Sequence, residues 1–165
     1  METVLILDFG AQYSQLIARR VREQNVYCEV KPCSISPAEI EKIAPIGIIL
    51  SGGPQSVYES VSLRVDPALF ALGIPVLGIC YGCQLMAYSL GGTVAAATEA
   101  TAREYGKTLT EFDTHSAIFQ DLPASSVTWM SHGDYISRVP DGFTVTAKTA
   151  VCPTAAMACP EKRLY

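Results

Sequence analysis

The first half of the chain alternates between two hydrophobic periods, one typical of buried strands and the other of amphipathic helices. Short continuous apolar runs, such as the one at 46–50, indicate strands that are buried on both faces. The segments between them repeat apolar residues with the 3.6-residue period of a helix. Strands are predicted at 3–10, 26–30, 46–50 and 74–79, and helical segments at 12–24, 37–44, 66–72 and 81–90. This order predicts right-handed β-α-β units and a doubly wound α/β fold with a mostly parallel sheet.

The segment at 12–24 carries most of its apolar residues on one stripe of the predicted helix. The stripe consists of Tyr13, Leu16, Ile17, Arg20, Val21 and Gln24. Because an apolar stripe normally packs against a sheet, we expect these side chains to face the core.

After Gly92 the pattern changes to short alternating runs that are separated by turn residues. Such runs predict antiparallel ribbons added to the parallel sheet, at 93–98, 105–112, 127–130, 135–139 and 143–148. The final pair, Leu164 and Tyr165, has the character of an opening strand. We therefore expect one domain over 1–165 whose C-terminal strand and helix lie beyond the sequence.

Composition narrows the class of protein. A length of 165 residues suits one domain, and 49% hydrophobic against 17% charged residues excludes a disordered chain. The net charge of −4, without a basic stripe, argues against a nucleic-acid partner. The N-terminus lacks the basic start of a signal peptide, and the apolar runs are too short to cross a membrane. The expected protein is soluble and cytoplasmic.

Six cysteines occur in the chain, and they offer several kinds of chemistry. In a reducing compartment cysteines are buried packing residues, metal ligands or nucleophiles rather than disulfide partners. With only two histidines, His115 and His132, the ligand set for a tetrahedral zinc is poor, so no metal site is predicted. The six are Cys28, Cys33, Cys80, Cys83, Cys152 and Cys159.

Cys80 has the sequence context of a catalytic nucleophile. It lies between Gly78 and Gly82, where a predicted strand meets a predicted helix, which is the pattern of a nucleophile elbow. A helix N-terminus favours the thiolate form of such a cysteine. The alternative is a buried cysteine on a glycine-rich turn. Cys83 adds a C-x-x-C redox motif, but the flanking glycines favour the elbow and leave Cys83 as a packing residue.

Two polar loops could complete a site around Cys80. The loop at 51–54 follows the third strand, and the backbone N–H groups of Gly53 and Tyr81 could form an oxyanion hole; otherwise the loop is a plain turn. The second loop, at 131–134, is predicted as a polar turn between two ribbons. Its backbone could contact a ligand, or His132 could act as a general base, the less favoured of the two interpretations.

These motifs together resemble those of the class I (triad) glutamine amidotransferases. Three further stretches resemble the glutaminase domains of GMP synthetases within that class. They are Ile6–Arg20 (ILDFGAQYSQLIARR), Glu104–Gly106 (EYG) and Trp129–Asp134 (WMSHGD). The resemblance covers essentially the whole chain and implies a flavodoxin-like fold.

The resemblance also implies roles for particular residues and partners. Cys80 would attack the side-chain amide of glutamine and form a thioester, with Gly53 and Tyr81 as oxyanion donors. Gln84 and the stretch Ser131, His132, Gly133 and Asp134 match positions that hold the backbone end of glutamine. The ammonia would pass to a synthetase domain or subunit, an ATP pyrophosphatase that uses ATP and magnesium to aminate XMP. The glutaminase domain itself would need no cofactor.

One part of the family pattern does not occur in this sequence. The general base, a His two residues before a Glu, would follow Tyr165, and neither His115 nor His132 matches it. Two alternatives to a glutaminase therefore stay open. The chain could be a non-catalytic glutamine-binding or synthetase-docking fragment, or another cysteine-elbow hydrolase of the same superfold.

Overall fold

A computed structural model describes residues 2–97 and 104–165, in which the chain divides into two compact units. The first unit runs to Met86 and also takes in Glu161–Leu164. The second unit is Ala87–Pro160 with Tyr165. Of the predicted strand at 93–98, only the last residue lies outside the described part.

The first unit contains a four-stranded parallel sheet in the order β2-β1-β3-β4, which is the order of flavodoxin-like folds. The predicted parallel α/β arrangement is confirmed, and the predicted helix at 66–72 is a 3₁₀ helix. The elements are β1 Thr3–Asp8, α1 Ser14–Glu23, β2 Tyr27–Pro32, α2 Pro37–Ile43, β3 Gly47–Leu50, the 3₁₀ helix Pro67–Ala71, β4 Val76–Gly78 and α3 Tyr81–Ser89.

The turn from β1 into α1 is held by the carboxylate of Asp8. One of its oxygens accepts hydrogen bonds from the Gly10 N–H at 3.0 Å and from the Ser14 hydroxyl at 2.7 Å. Because Ser14 is fixed in this way, α1 turns Ser14 and Ala18 into the interior. The predicted stripe is wrong at four of its six positions, since Tyr13, Leu16, Arg20 and Gln24 are exposed.

The core between α1 and the sheet is built from Ile6, Ala18 and Cys28, all of which are buried. Burying one side chain the size of Ile6 contributes about 1.5–3 kcal/mol to folding. The cluster therefore fixes α1 against β1 and β2. Partly buried residues pack around it: Val4, Ile17, Val21, Val30 and Ile49.

The second unit is antiparallel, as the alternating runs predict. One sheet has the order β10-β9-β6-β7, and a separate ribbon pairs β5 with β8. The short strand β10 has no sequence signal that distinguishes it from a loop, and it was not predicted. The elements are β5 Thr93–Ala96, β6 Glu104–Phe112, β7 Ser125–His132, β8 Asp134–Arg138, β9 Thr144–Lys148, β10 Ala156–Ala158 and a 3₁₀ helix at Pro160–Lys162.

The predicted polar turn at 131–134 is wrong in its form. Ser131 and His132 end β7, Asp134 begins β8, and only Gly133 lies between the two strands. Since β7 pairs with β6 and β8 pairs with β5, the chain passes from the sheet to the ribbon at this single glycine. The four residues form a strand crossover instead of a loop.

The end of the chain returns to the edge of the parallel sheet. Leu164 makes one parallel bridge to Val76, and the Val76 N–H donates to the Arg163 carbonyl at 3.0 Å. Leu164 is completely buried. The strand character predicted for this segment therefore takes the form of a single bridge beside β4.

Within residues 2–97 and 104–165, no helix combines the length and the apolar character that a membrane span requires.

Ala44 offers a test of the backbone at the end of α2. It is exposed and adopts a left-handed conformation, with φ 50° and ψ 55°, which glycine adopts more easily. We expect Ala44→Gly to raise the free energy of unfolding by about 0.5 kcal/mol, since relief of about 1–2 kcal/mol exceeds the added chain entropy. Urea unfolding measures the change.

The matched control is Ala38→Gly in the same helix, where the backbone is helical and the methyl group is also exposed. That change should destabilise the protein by about 0.5–1 kcal/mol. Equal effects of the two substitutions would contradict the assignment of Ala44 as a left-handed cap.

Candidate active site

Cys80 lies on a strained turn between β4 and α3. Its φ is 54°, in the left-handed region that residues with a Cβ rarely adopt, at a cost of about 1–2 kcal/mol. The residue is exposed, and α3 begins at the next residue. A sulfur at this position meets the positive end of the helix dipole. The backbone geometry of a nucleophile elbow is therefore present.

The two glycines that flank Cys80 are required by close packing. A Cβ at Gly78 would lie 2.6 Å from the backbone nitrogen of Cys83. A Cβ at Gly82 would lie 2.6 Å from the Cβ of Leu50 in the neighbouring strand. Both separations are shorter than real carbon contacts allow, so α3 can meet the sheet at this angle only with glycine at both positions.

The loop after β3 lies directly beside the elbow. A Cβ built at Gly52 would contact the Cβ of Cys80 at 3.7 Å, and one built at Gly53 would lie 3.2 Å from the ring of Tyr81. The hydroxyl of Ser51 anchors the loop by accepting the Phe9 N–H at 3.2 Å. The sheet thus brings together the two segments that the sequence assigned to one site.

Tyr81 and Gln84 fix the first turn of α3. Tyr81 is buried, its ring centroid lies 5.4 Å from that of Phe9, and its hydroxyl donates to the Leu63 carbonyl. Burial raises the pKa of Tyr81 above its usual value. Gln84 is buried one turn later, and its backbone N–H donates to the Cys80 carbonyl at 3.0 Å.

The other cysteines differ from Cys80 in exposure. All six are thiols, and four are buried while Cys83 is partly buried. Burial raises the pKa of Cys33 and of Cys152 above the usual thiol value, with nearby carboxylates acting in the same direction. Among the six, only Cys80 combines exposure with a helix N-terminus.

In the second unit, His132 belongs to a buried hydrogen-bonded cluster. Its Nε2 lies 3.2 Å from one oxygen of Glu104, and the other oxygen accepts the Thr149 hydroxyl at 2.6 Å. The ring Nδ1 is also buried and has no hydrogen-bond partner among the described residues. His115, by contrast, is a surface residue whose side chain is 96% exposed.

The same cluster has the residue types of a metal site. Ligand atoms of Glu104, His132 and Cys152 lie within 4.8 Å of one another. Both carboxylate oxygens already have protein partners, and the Cys152 thiol donates to the Thr154 carbonyl at 3.4 Å. We therefore interpret the group as a hydrogen-bonded cluster. Its register across two strands has no sequence signal, so the sequence did not reveal it.

A parallel α/β unit with a cysteine on a nucleophile elbow defines a class of enzymes that act through a covalent cysteine intermediate. The family model described as "Glutamine amidotransferase class-I" matches residues 5–165. The chain belongs to this family, whose members hydrolyse glutamine.

Within the family, similar relatives carry one name. A "GMP synthase [glutamine-hydrolyzing]" from Clostridium botulinum (strain Alaska E43 / Type E3) is 54% identical over 164 residues, 99% of this chain. One of the same name from Bacillus pumilus (strain SAFR-032) is also 54% identical over 164 residues. The chain spans 31% of the length of each of these relatives.

Solved structures agree with the fold. A candidate GMP synthase subunit from Thermoplasma acidophilum has a TM-score of 0.83 and 28% identity, covering 100% of this chain and 81% of that one. A glutamine amidotransferase from Thermotoga maritima has a TM-score of 0.78 at 21% identity, covering 99% of this chain and 73% of that one. The likeness to the Thermotoga maritima protein shows the fold alone.

The packing at the elbow predicts a strong effect of one added methyl group. Gly82→Ala should destabilise the first unit by about 3 kcal/mol, because its Cβ has no space against Leu50. Gly47→Ala is the control, since its Cβ would meet only ordinary contacts, the nearest at 3.8 Å. Thermal unfolding compares the two, and a small effect of Gly82→Ala would contradict the packing described.

The cysteine thiols should also differ in how fast they react with an alkylating reagent. At pH 7.5 we expect iodoacetamide to modify Cys80 well before Cys33 and Cys152, because those two are buried and their raised pKa leaves less thiolate. Raising the pH to 9.5 should speed modification of the buried pair, since more thiolate forms. Peptide mass spectrometry measures each rate; equal rates at the three residues would contradict the burial pattern.

Proposed function

We propose that this chain is the glutamine-hydrolysing part of a GMP synthetase, which supplies ammonia for the amination of XMP to GMP. The observation that carries the proposal is the likeness to GMP synthases, 54–56% identity over 164 residues, together with the elbow at Cys80. The chain covers about a third of the length of those relatives, and the synthetase reaction is proposed here on the strength of that likeness.

Cys80 is the proposed nucleophile. Its sulfur attacks the side-chain amide carbon of glutamine, and the C–N bond then breaks to leave a glutamyl thioester. The nitrogen leaves as ammonia, having taken the proton that the thiol gave up. Water cleaves the thioester to glutamate and restores the thiol. The exposure of Cys80 and its place at the start of α3 support this role.

The oxyanion of each tetrahedral intermediate is assigned to the backbone N–H groups of Gly53 and Tyr81. The position of Gly53 against the Tyr81 ring supports the pairing, since the two residues are direct neighbours. A side chain at Gly53 would also press on Phe9, with its Cβ 3.1 Å from the Phe9 carbonyl oxygen. The loop therefore approaches the elbow through backbone atoms, as an oxyanion hole requires.

The backbone end of glutamine is assigned to Gln84 and to the crossover at Ser131, His132, Gly133 and Asp134. Gln84 is supported by its position one helical turn after Cys80. The crossover is supported by its polar residues and by Gly133, where the main chain has no side chain to cover it. These positions match the binding residues of the family that the chain resembles.

A synthetase partner is supported by an exposed apolar face on β6 and β7. Leu109 and Val127 face each other across the strand pair, and both are exposed, with Trp129 next to them at 74% exposure. Contiguous exposed apolar residues mark surfaces that bind other proteins. ATP and magnesium would act in the synthetase, and no step assigned to this chain uses them.

A chloroketone analogue of glutamine tests the nucleophile and the pocket without requiring turnover. We expect one adduct, at Cys80, and we expect free glutamine to slow its formation by competition. Cys80→Ala should abolish the adduct. Intact-protein and peptide mass spectrometry measure the extent and the site of labelling.

The matched control is Cys83→Ala, which alters the next thiol along the chain and should leave the labelling unchanged. Labelling without protection by glutamine, or spread over several cysteines, would contradict glutamine hydrolysis at Cys80. Protection by glutamine with no adduct at Cys80 would favour a non-catalytic glutamine-binding module. A reversible Cys80–Cys83 disulfide under oxidant would favour the redox interpretation.

A further inference from the structure

We propose that Glu104 is a positioning residue that fixes the main chain at His132 and Gly133 for ligand binding. The inference rests on the proposed function, which assigns the backbone end of glutamine to this crossover. Glu104 lies at the start of β6 and has no place in the chemistry described above. Its role would be exerted through His132, without contact with glutamine.

Glu104 is a buried carboxylate with both oxygens in use. Its side chain is 5% exposed, one oxygen lies 3.2 Å from His132 Nε2, and the other accepts the Thr149 hydroxyl at 2.6 Å. Glu104 and His132 are also direct partners in the antiparallel register of β6 and β7. The side-chain contact therefore adds to the backbone pairing at the last residue of β7.

Thr149 is itself held by hydrogen bonds within its own turn. Its hydroxyl oxygen accepts the N–H groups of Val151 at 3.3 Å and Cys152 at 2.9 Å, and its own N–H donates to the Cys152 carbonyl at 2.9 Å. Glu104 thus joins three separate pieces of the second unit: the start of β6, the end of β7 and the turn at 149–152. A carboxylate anchored at one oxygen can hold the imidazole at the other.

The position of His132 directly determines the position of Gly133, the next residue. The Gly133 carbonyl accepts the Ala97 N–H at 2.8 Å, and a Cβ at Gly133 would lie 3.4 Å from the Tyr105 hydroxyl. Because only Gly133 separates the two strands, a shift of His132 has no loop in which to be absorbed. The hydrogen bond from Ala97 therefore reports on whether the crossover is in place.

A structural role alone is a weak explanation for Glu104. A carboxylate costs several kcal/mol to bury, and well-packed apolar residues can replace buried polar partners with little loss of stability. A fixed, fully hydrogen-bonded group orients the side chain that it contacts, and an apolar side chain does not. A change in local exchange or in ligand affinity without a change in stability therefore distinguishes a positioning role from a structural one.

The first experiment measures hydrogen exchange at the Ala97 amide by NMR in the 165-residue chain. We expect Glu104→Gln to speed this exchange about tenfold, since a charge-assisted hydrogen bond is lost. Thr149→Val should also speed the exchange. Thr149→Ser should keep the slow exchange of the unaltered chain, because serine retains the hydroxyl. The control is Glu111→Gln on the same strand, an exposed residue paired with Lys148.

The second experiment measures labelling of Cys80 by the chloroketone analogue of glutamine at increasing concentrations. Glu104→Gln should raise the half-saturating concentration about tenfold and leave the limiting rate unchanged. The rate with iodoacetamide, which needs no pocket, should also stay the same. Glu111→Gln and Thr149→Ser should behave as the unaltered chain.

The two experiments separate the possible failures. Unchanged exchange at Ala97 in a folded Glu104→Gln protein overturns the inference, whatever the analogue does. Faster exchange with an unchanged half-saturating concentration also overturns it, because the crossover would then move without affecting the ligand. If the unaltered chain shows no glutamine-protected labelling, the proposed function fails and the ligand-binding role of Glu104 fails with it. In that case faster exchange still establishes that Glu104 holds the crossover.

Discussion

The close approach of α3 to the parallel sheet is the constraint on which the rest of the first unit depends. The helix starts one residue after Cys80, and the residues two before and two after the cysteine must be glycine because Cys83 and Leu50 occupy the space. The left-handed backbone at Cys80 costs about 1–2 kcal/mol. Burial of Leu85 and Met86 on α3 offsets this cost.

The same constraint explains why the reactive group and its neighbours meet. Parallel strands present their carboxyl ends at one edge, so the loop after β3 and the elbow after β4 become adjacent. The contact of Gly52 with Cys80, and of Gly53 with Tyr81, follows from this topology. The strained backbone at Cys80 and the close approach of the neighbouring loop therefore have one origin, which is the packing of a helix directly on the strand ends.

In the second unit the main chain at the crossover is fixed by a buried polar cluster instead of a strained turn. Glu104 and His132 meet across two strands that are paired over eight residues, and Thr149 joins them from a distant turn. A buried carboxylate is tolerated only when its hydrogen bonds are complete. The result is that one short crossover, with a single glycine between two strands, has a defined position.

Local patterns were enough to predict the parallel α/β class, the elbow at Cys80 and the loop at 51–54, because hydrophobic period and glycine spacing are properties of neighbouring residues. The buried face of α1 was misjudged at Leu16, since the Asp8–Ser14 hydrogen bond turns the helix. The form of the 131–134 segment and the pairing of Glu104 with His132 depended on strand register. Register joins residues that are far apart in the chain, and only the tertiary structure decides which of them meet.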